Sequence, residues 1–297
     1  MRKIFGKIFN IQRFSIYDGP GIRTVAFFAG CNLNCAWCHN PESISARQQL
    51  KFGPEQCILC GGCVDICKNG AHAIKDGLHI FERDKCEACL ECAKKCYAEA
   101  LLPVCRELGV AELEDSLITD EPYFRQSGGG VTFSGGEPLL QVDFLRDILQ
   151  ACKKRDIHTA VDTAGAVGFE AFEKILPWCD LFLYDIKAHD SDLHQKLTGA
   201  KNELILKNSK RLSELSKVRV RVPVVAGADG NIGEMEAIAK FLSGTNIEGC
   251  ELLAYHRLGE GKYRSLGLKS EHIFEEPSGD MMRDIKNMFL AKNITII

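Results

Sequence analysis

The chain predicts an α/β protein: a partial barrel of six parallel strands, interrupted by a small cysteine-dense domain. Short Val-, Leu- and Ile-rich runs alternate with amphipathic helical stretches, which marks βαβ units and a parallel sheet. Six such runs occur, fewer than the eight that close a full barrel, so an open or partial barrel is expected ahead of a doubly wound sheet. The alternation also stops between Lys51 and Pro103, a segment entered through Phe52-Gly53-Pro54 and holding eight of the fifteen cysteines. The expected domains are 1–50 with 104–297 for the barrel and 51–103 for the insertion, a division that suits 297 residues.

The first strand is Thr24–Ala29, an apolar run that stops at Gly30. After the insertion, helix Glu112–Arg125 leads into strand Gly130–Ser134. Helix Gln141–Arg155 follows, with Phe144, Leu145, Ile148, Leu149 and Cys152 at helical spacing on one face. Strand Thr159–Asp162, helix Phe169–Leu176 and strand Leu181–Asp185 repeat the unit. Helix Leu204–Ser216, strand Val218–Val225, helix Gly233–Leu242 and strand Cys250–Ala254 complete it, and a terminal helix, Gly279–Lys292, comes last.

Polar residues cluster where these strands end, and in parallel α/β architectures reactive groups gather beyond the carboxyl ends of the strands. The first strand runs into Cys31-x3-Cys35-x2-Cys38, with Trp37 inside the motif. The second ends at Ser134-Gly135-Gly136-Glu137-Pro138, the third at Asp162-Thr163, and the fourth at Asp185-Ile186-Lys187. Arg219 and Arg221 interrupt the fifth, and the sixth runs into Tyr255-His256. Any one of these has a plain structural explanation, such as a turn or an edge ion pair. Six strand ends in register point to a site.

Cysteine spacing carries the chemistry. Cys31, Cys35 and Cys38 are three thiolates, one short of the four that close a cubane on protein alone. An open coordination position marks a catalytic metal centre, a saturated one a structural or electron-transfer centre. A zinc knuckle is the competing assignment and would need His39 as its fourth ligand. Cys57, Cys60, Cys63, Cys67 and Cys86, Cys89, Cys92, Cys96 are two C-x2-C-x2-C-x3-C runs, the two-cluster ferredoxin pattern whose fourth cysteine serves the other cluster. Cys57, Cys60, Cys63 and Cys96 are therefore expected to hold one [4Fe-4S] cluster, and Cys86, Cys89, Cys92 and Cys67 another. Lys68 and Tyr97 stand where proline usually follows the fourth cysteine. Cys105, Cys152, Cys179 and Cys250 are read as structural, since free cysteine packs as a small hydrophobe.

Composition excludes several classes. A net charge of −3 offers no basic field for nucleic acid. No apolar run approaches the roughly 20 residues needed to cross a membrane. Met1–Asn10 is basic without an apolar core, so export is not expected; a cytoplasmic chain keeps its thiols for metal rather than disulfides.

Four stretches together resemble the glycyl radical enzyme activating enzymes of the radical S-adenosylmethionine (SAM) superfamily, the pyruvate formate-lyase activase type. They are Asp18-Gly19-Pro20-Gly21-Ile22-Arg23, the cysteine triplet with His39-Asn40, Ser134-Gly135-Gly136-Glu137, and Leu252-Leu253-Ala254-Tyr255-His256. The resemblance implies a [4Fe-4S] cluster on Cys31, Cys35 and Cys38 that reductively cleaves SAM to methionine and a 5′-deoxyadenosyl radical. That radical would abstract hydrogen from a glycine of a partner glycyl radical enzyme. It further implies SAM contacts from Trp37, from Gly135, Gly136 and Glu137 toward the methionine ammonium, from Asp185 and Lys187 near carboxylate and ribose, and from Arg221, Leu253 and His256. Asp162 and Thr163 match a monovalent-cation site, and Asp18 the face that receives the partner's glycine loop. No residue is implied as a general acid or base, because the cofactors carry the hard chemistry.

The ferredoxin-type insertion resembles the branch serving glycerol or diol dehydratases, choline lyase, aryl-acetate decarboxylases and benzylsuccinate synthase. Three [4Fe-4S] clusters, a flavodoxin or ferredoxin-type reductant and a monomeric enzyme are then expected. Two other classes compete. A different radical SAM maturase with auxiliary clusters usually brings cysteines after the barrel, whereas only Cys250 lies beyond Cys179. A non-catalytic iron–sulfur electron carrier leaves Gly135-Gly136-Glu137 and Asp185-x-Lys187 without purpose.

Overall fold

A computed structural model describes residues 4–228, 231–269 and 274–297. Its strands in chain order are β1 (Phe5–Ser15), β2 (Arg23–Phe28), β3 (Leu50–Phe52), β4 (His72–Lys75), β5 (Leu78–Phe81), β6 (Leu101–Pro103), β7 (Arg106–Gly109), β8 (Gly130–Gly135), β9 (His158–Thr163), β10 (Leu181–Asp185), β11 (Val218–Val224) and β12 (Gly249–Ala254). Eight of them form the main sheet in the order β12-β11-β10-β9-β8-β2-β1-β7.

From β2 through β8 to β12 the strands are parallel and adjacent in chain order. A doubly wound sheet requires a reversal of strand order, and none occurs here. Right-handed crossovers that always step the same way leave every helix on one face. The arrangement is the partial (β/α)6 barrel expected from the sequence. β1 and β7 are additions that the sequence reading missed: both pair antiparallel, β1 against β2 and β7 against β1, and extend the sheet at its first edge.

Alternation along the strands sorts their side chains. Val131, Phe133, Val161, Phe182, Tyr184, Val220, Val222 and Val224 point to the helix face and join Leu145, Ile148, Leu149, Phe172, Leu212 and Ile238 in one buried core. The expected helix 112–125 is two helices, Val110–Ile118 and Glu121–Ser127. Asp120 lies at the break, fully buried. Its carboxylate accepts from Arg13 and from the Thr24 hydroxyl (2.6 Å), and Pro122 opens the second helix. Four helices went unread, Ser191–Thr198 and Glu260–Ser265 in the barrel and the short Gly62–Ile66 and Glu91–Lys95 in the cysteine-dense segment.

Residues 50–103 build a small lobe of their own. β3 and β6 pair antiparallel and bring its two ends together, with Leu50 opposite Pro103. β4 and β5 form a hairpin, and Leu50, Cys92 and Leu101 make a separate apolar cluster. Arg83 ties the lobe to the barrel by donating to the carbonyls of Leu50 (2.8 Å) and Ser265 (2.6 Å). Among the described residues no helix is long and apolar enough to cross a membrane.

Candidate active site

The residues that alternate away from the helix core line the other face of the sheet, and at the strand ends they are charged. Register sets Arg221 beside Asp185 on β10 and beside Glu251 on β12. Arg221 is 7% exposed, and its guanidinium meets three carboxylates: Glu251 at 3.0 Å, Asp162 at 3.3 Å and Asp18 at 3.6 Å. It also donates to the Tyr17 carbonyl. Burial works against its charge, but Asp162 and Glu251 outweigh that and hold its pKa above the usual value.

Asp18 is thus not a solvated loop charge; it faces Arg221 and accepts from the Ser15 hydroxyl. Asp162 accepts from Ser134 Oγ (2.7 Å), and its Oδ1 is buried with no hydrogen-bond partner among the described residues. Burial raises the Asp162 carboxyl against the pull of Arg221.

Lys187 follows the end of β10. Its ammonium pairs with Asp185 at 2.6 Å, and its charge acts on Cys31, Cys35 and Cys38 alike. Burial pushes the Cys31 and Cys35 thiols up to about 11, with Lys187 opposing. Thiols raised by burial need a strong local cation to ionise, which iron supplies.

Gly135 and Gly136 form the turn at the end of β8. Gly135 has φ +115°, and a Cβ there would sit 2.4 Å from the Phe28 backbone nitrogen; at Gly136 it would sit 2.2 Å from the Gly30 carbonyl. Only glycine lets the β8 turn lie so close to the end of β2. Glu137 is fully buried. Its carboxylate accepts from Thr163 Oγ1 (2.8 Å), Leu139 N (3.2 Å) and Ala164 N (3.1 Å), which occupy three of roughly four acceptor sites. Burial raises its pKa to about 7, against those hydrogen bonds. Thr163 is therefore committed to Glu137 and does not stand free beside Asp162.

Trp37 packs with Leu197, Val225 and Tyr255 and meets Phe274 edge-on at 6.0 Å. Leu253 and His256 are exposed at the end of β12, and the His256 ring stacks on His39 at 4.3 Å. His39, which a zinc knuckle would require, is thereby turned to β12. Glu251 escaped the sequence reading, although it alternates in phase with Leu253 on β12.

In the small lobe the cysteines separate into two cavities. One is lined by Cys57, Cys60, Cys63 and Cys96 with His79, the other by Cys67, Cys86, Cys89 and Cys92 with His72. The two loops share a backbone path: Leu59 (φ 57°) and Gly61 (φ 82°) correspond to Ala88 (φ 52°) and Leu90 (φ 66°). Left-handed conformations at leucine and alanine are costly and persist only where surroundings dictate them. Loops bent the same way around four thiols fit a cubane. His72 and His79 went unread in the sequence.

The radical SAM superfamily profile matches residues 94–242, and a 4Fe-4S single-cluster domain profile matches residues 17–68. The trans-4-hydroxy-L-proline dehydratase activating enzyme of Clostridioides difficile is 40% identical over 292 residues, covering 96% of each chain. The choline trimethylamine-lyase activating enzyme of Oleidesulfovibrio alaskensis is 40% identical, covering 88% of this chain and 86% of that one. A crystal structure of a domain of the pyruvate-formate lyase-activating enzyme from Bacteroides vulgatus superposes with TM-score 0.50 at 32% identity, over 57% of this chain and 98% of that domain. The chain belongs to the radical SAM superfamily, among its glycyl radical enzyme activating enzymes. It is an enzyme that uses an iron–sulfur cluster and SAM, and neither a plain electron carrier nor another kind of maturase describes it.

Proposed function

We propose that Cys31, Cys35 and Cys38 hold the SAM-binding cluster, that the two lobe cavities hold two further [4Fe-4S] clusters, and that the protein substrate is a glycyl radical enzyme. The single observation that carries the assignment is the pairing of β8 with β2, which sets Gly135 beside Phe28 and lets Glu137 N donate to the Gly30 carbonyl (2.8 Å), next to Cys31. When bound, the reduced cluster and SAM supply the 5′-deoxyadenosyl radical that takes a hydrogen from the partner's glycine.

The chain's own residues bind and orient. Gly135 and Gly136 give backbone access to the methionine ammonium, and the remaining acceptor site of Glu137 faces it. Asp185 and Lys187 serve the carboxylate and ribose. Arg221, Leu253, His256 and Trp37 complete the SAM site, and the bare Oδ1 of Asp162 is the oxygen of a monovalent-cation position. Thr163 supports that position through Glu137. Asp18, held by Ser15 and Arg221, is the docking group for the partner's glycine loop. The enzyme is cytoplasmic and monomeric and draws its electron from a flavodoxin or ferredoxin-type donor. Relatives named for a hydroxyproline dehydratase, a choline lyase and a 4-hydroxyphenylacetate decarboxylase support a dehydratase, lyase or decarboxylase as the partner.

Anaerobic reconstitution tests this. About twelve irons per chain are expected, four for each of three cubanes. Cys35→Ala should abolish SAM cleavage while retaining about eight. Mixing the wild type with SAM, reductant and a purified dehydratase or lyase should produce a glycyl radical EPR doublet on the partner. An iron content near four would remove the two lobe clusters, and SAM cleavage without any radical on a panel of such partners would remove the proposed substrate.

A further inference from the structure

The β4–β5 hairpin stands between the two lobe cavities and carries groups that cluster ligation does not require. His72 pairs across the hairpin with Phe81, and Ile74 with His79. Alternation sets all four on one face, so the two imidazoles meet on the diagonal. His79 Nε2 lies 3.0 Å from His72 Nδ1. On its cavity side, His79 presents Nδ1 at 3.4 Å from Cys57 Sγ and Nε2 at 3.6 Å from Cys63 Sγ. His72 lines the other cavity; it is 4% exposed, and its Nε2 is buried without a hydrogen-bond partner among the described residues.

Both rings are held in place. His72 stacks on Phe81 at 4.6 Å, and His79 meets the edge of Phe52 at 4.5 Å. A buried polar nitrogen left bare costs free energy, so the position of His72 Nε2 calls for a partner in the cavity it faces.

We infer that His72 and His79 form an imidazole bridge between the two lobe clusters that directs one N–H to the thiolates of one of them and so sets their reduction potentials apart. This rests on the proposal that both quartets hold clusters. Two neutral imidazoles carry two N–H groups, and one is spent on the hydrogen bond between the rings. The other points toward Cys57 when His72 donates to His79, and into the second cavity when His79 donates to His72. The clusters share one donor, and so are unequal. A donor aimed at a cluster sulfur stabilises the more negative, reduced state and raises its potential. Ligand atoms of Cys63, His72 and His79 also lie within 4.8 Å of one another, so a single zinc ion is the competing occupant.

The test uses the full chain, reconstituted anaerobically, with iron and zinc counted and the clusters titrated by EPR-monitored potentiometry. His79→Phe should keep about twelve irons. It should lower the potential of one lobe cluster by at least a tenfold change in its reduction equilibrium, about 59 mV for a one-electron couple. His79→Gln, which retains an N–H donor, should fall between. His72→Phe leaves His79 with an N–H for Cys57 and Cys63, so it should not lower the potential of that same cluster. Unchanged potentials with full iron content would overturn the bridge and leave the cluster assignment standing. Loss of four irons in both His79→Phe and His79→Gln would make His79 a ligand or a wall and overturn its donor role. Wild-type iron near four, or one bound zinc, would overturn the cluster assignment and the bridge with it.

Discussion

Three protein donors take up most of the Glu137 carboxylate, so a cut to alanine would do two things at once. It would remove the ammonium's counter-charge and strand the amides of Leu139 and Ala164 in a buried site, each worth about 1–3 kcal/mol. Glu137→Gln removes the charge but keeps one acceptor oxygen, so it strands only one of the two amides: SAM affinity should fall roughly tenfold to a hundredfold, as expected for about 1.5–3 kcal/mol, with all three clusters still assembled. The raised pKa, about 7, adds a pH signature. As pH falls through that value the carboxyl takes a proton and ceases to attract a cation, so SAM should bind more weakly at pH 6 than at pH 8. Isothermal titration of Glu137→Gln should show no such slope; an unchanged slope would assign the dependence to another group. Asp18 has its own readout. Asp18→Ala should leave uncoupled SAM cleavage close to wild type while strongly reducing glycyl radical formation, since a misplacement of about 1 Å can cost a hundredfold. Equal loss of both activities would mean that Asp18 acts only through Arg221.

At the scale of single elements, the end of β8 is where fold and site depend on one another. Its last residue must be glycine, because β2 runs too close for a side chain and the backbone is left-handed there. Gly135→Ala should cost about 1–3 kcal/mol from the backbone conformation alone, visible as a lower thermal midpoint, and should abolish SAM binding in the protein that still folds. A variant of wild-type stability and affinity would show that the turn relaxes freely. The helix break at Asp120 follows a different logic: a buried carboxylate needs Arg13 and Thr24, and satisfying it outweighs continuing one helix from Val110.

Across the whole molecule, Arg83 helps fasten the lobe to the barrel, alongside the ion pair of Lys51 with Glu42 at 3.6 Å. Arg83 bridges Leu50 and Ser265 and lies over the Phe81 ring, with its carbon Cζ 4.7 Å from the centroid. Hydrogen bonds from a charged donor contribute about 1.5–3 kcal/mol each, so Arg83→Ala should loosen the lobe without emptying it. Faster hydrogen exchange confined to residues 50–103, with iron content unchanged, is the expected result. Uniform exchange across the chain would show that the lobe is held by its strand ends instead.

Local spacing alone grouped the cysteines and marked the six parallel strands. Three cysteines of each lobe cavity lie within a few residues along one loop, the fourth coming from the other loop, and a strand declares by its own side chains that it will be buried. The separation into two cavities follows from the same kind of local pattern, repeated after a fixed interval. β1 was illegible because half its residues face solvent and its apolar positions do not alternate cleanly. Only the tertiary structure decided which charges meet. Glu251, Asp162 and Asp18 converge on Arg221 from three separate elements, and His79 reaches His72 across a hairpin. Such pairings depend on strand order and register, which are settled by what every strand buries together, and no short stretch of sequence carries that information.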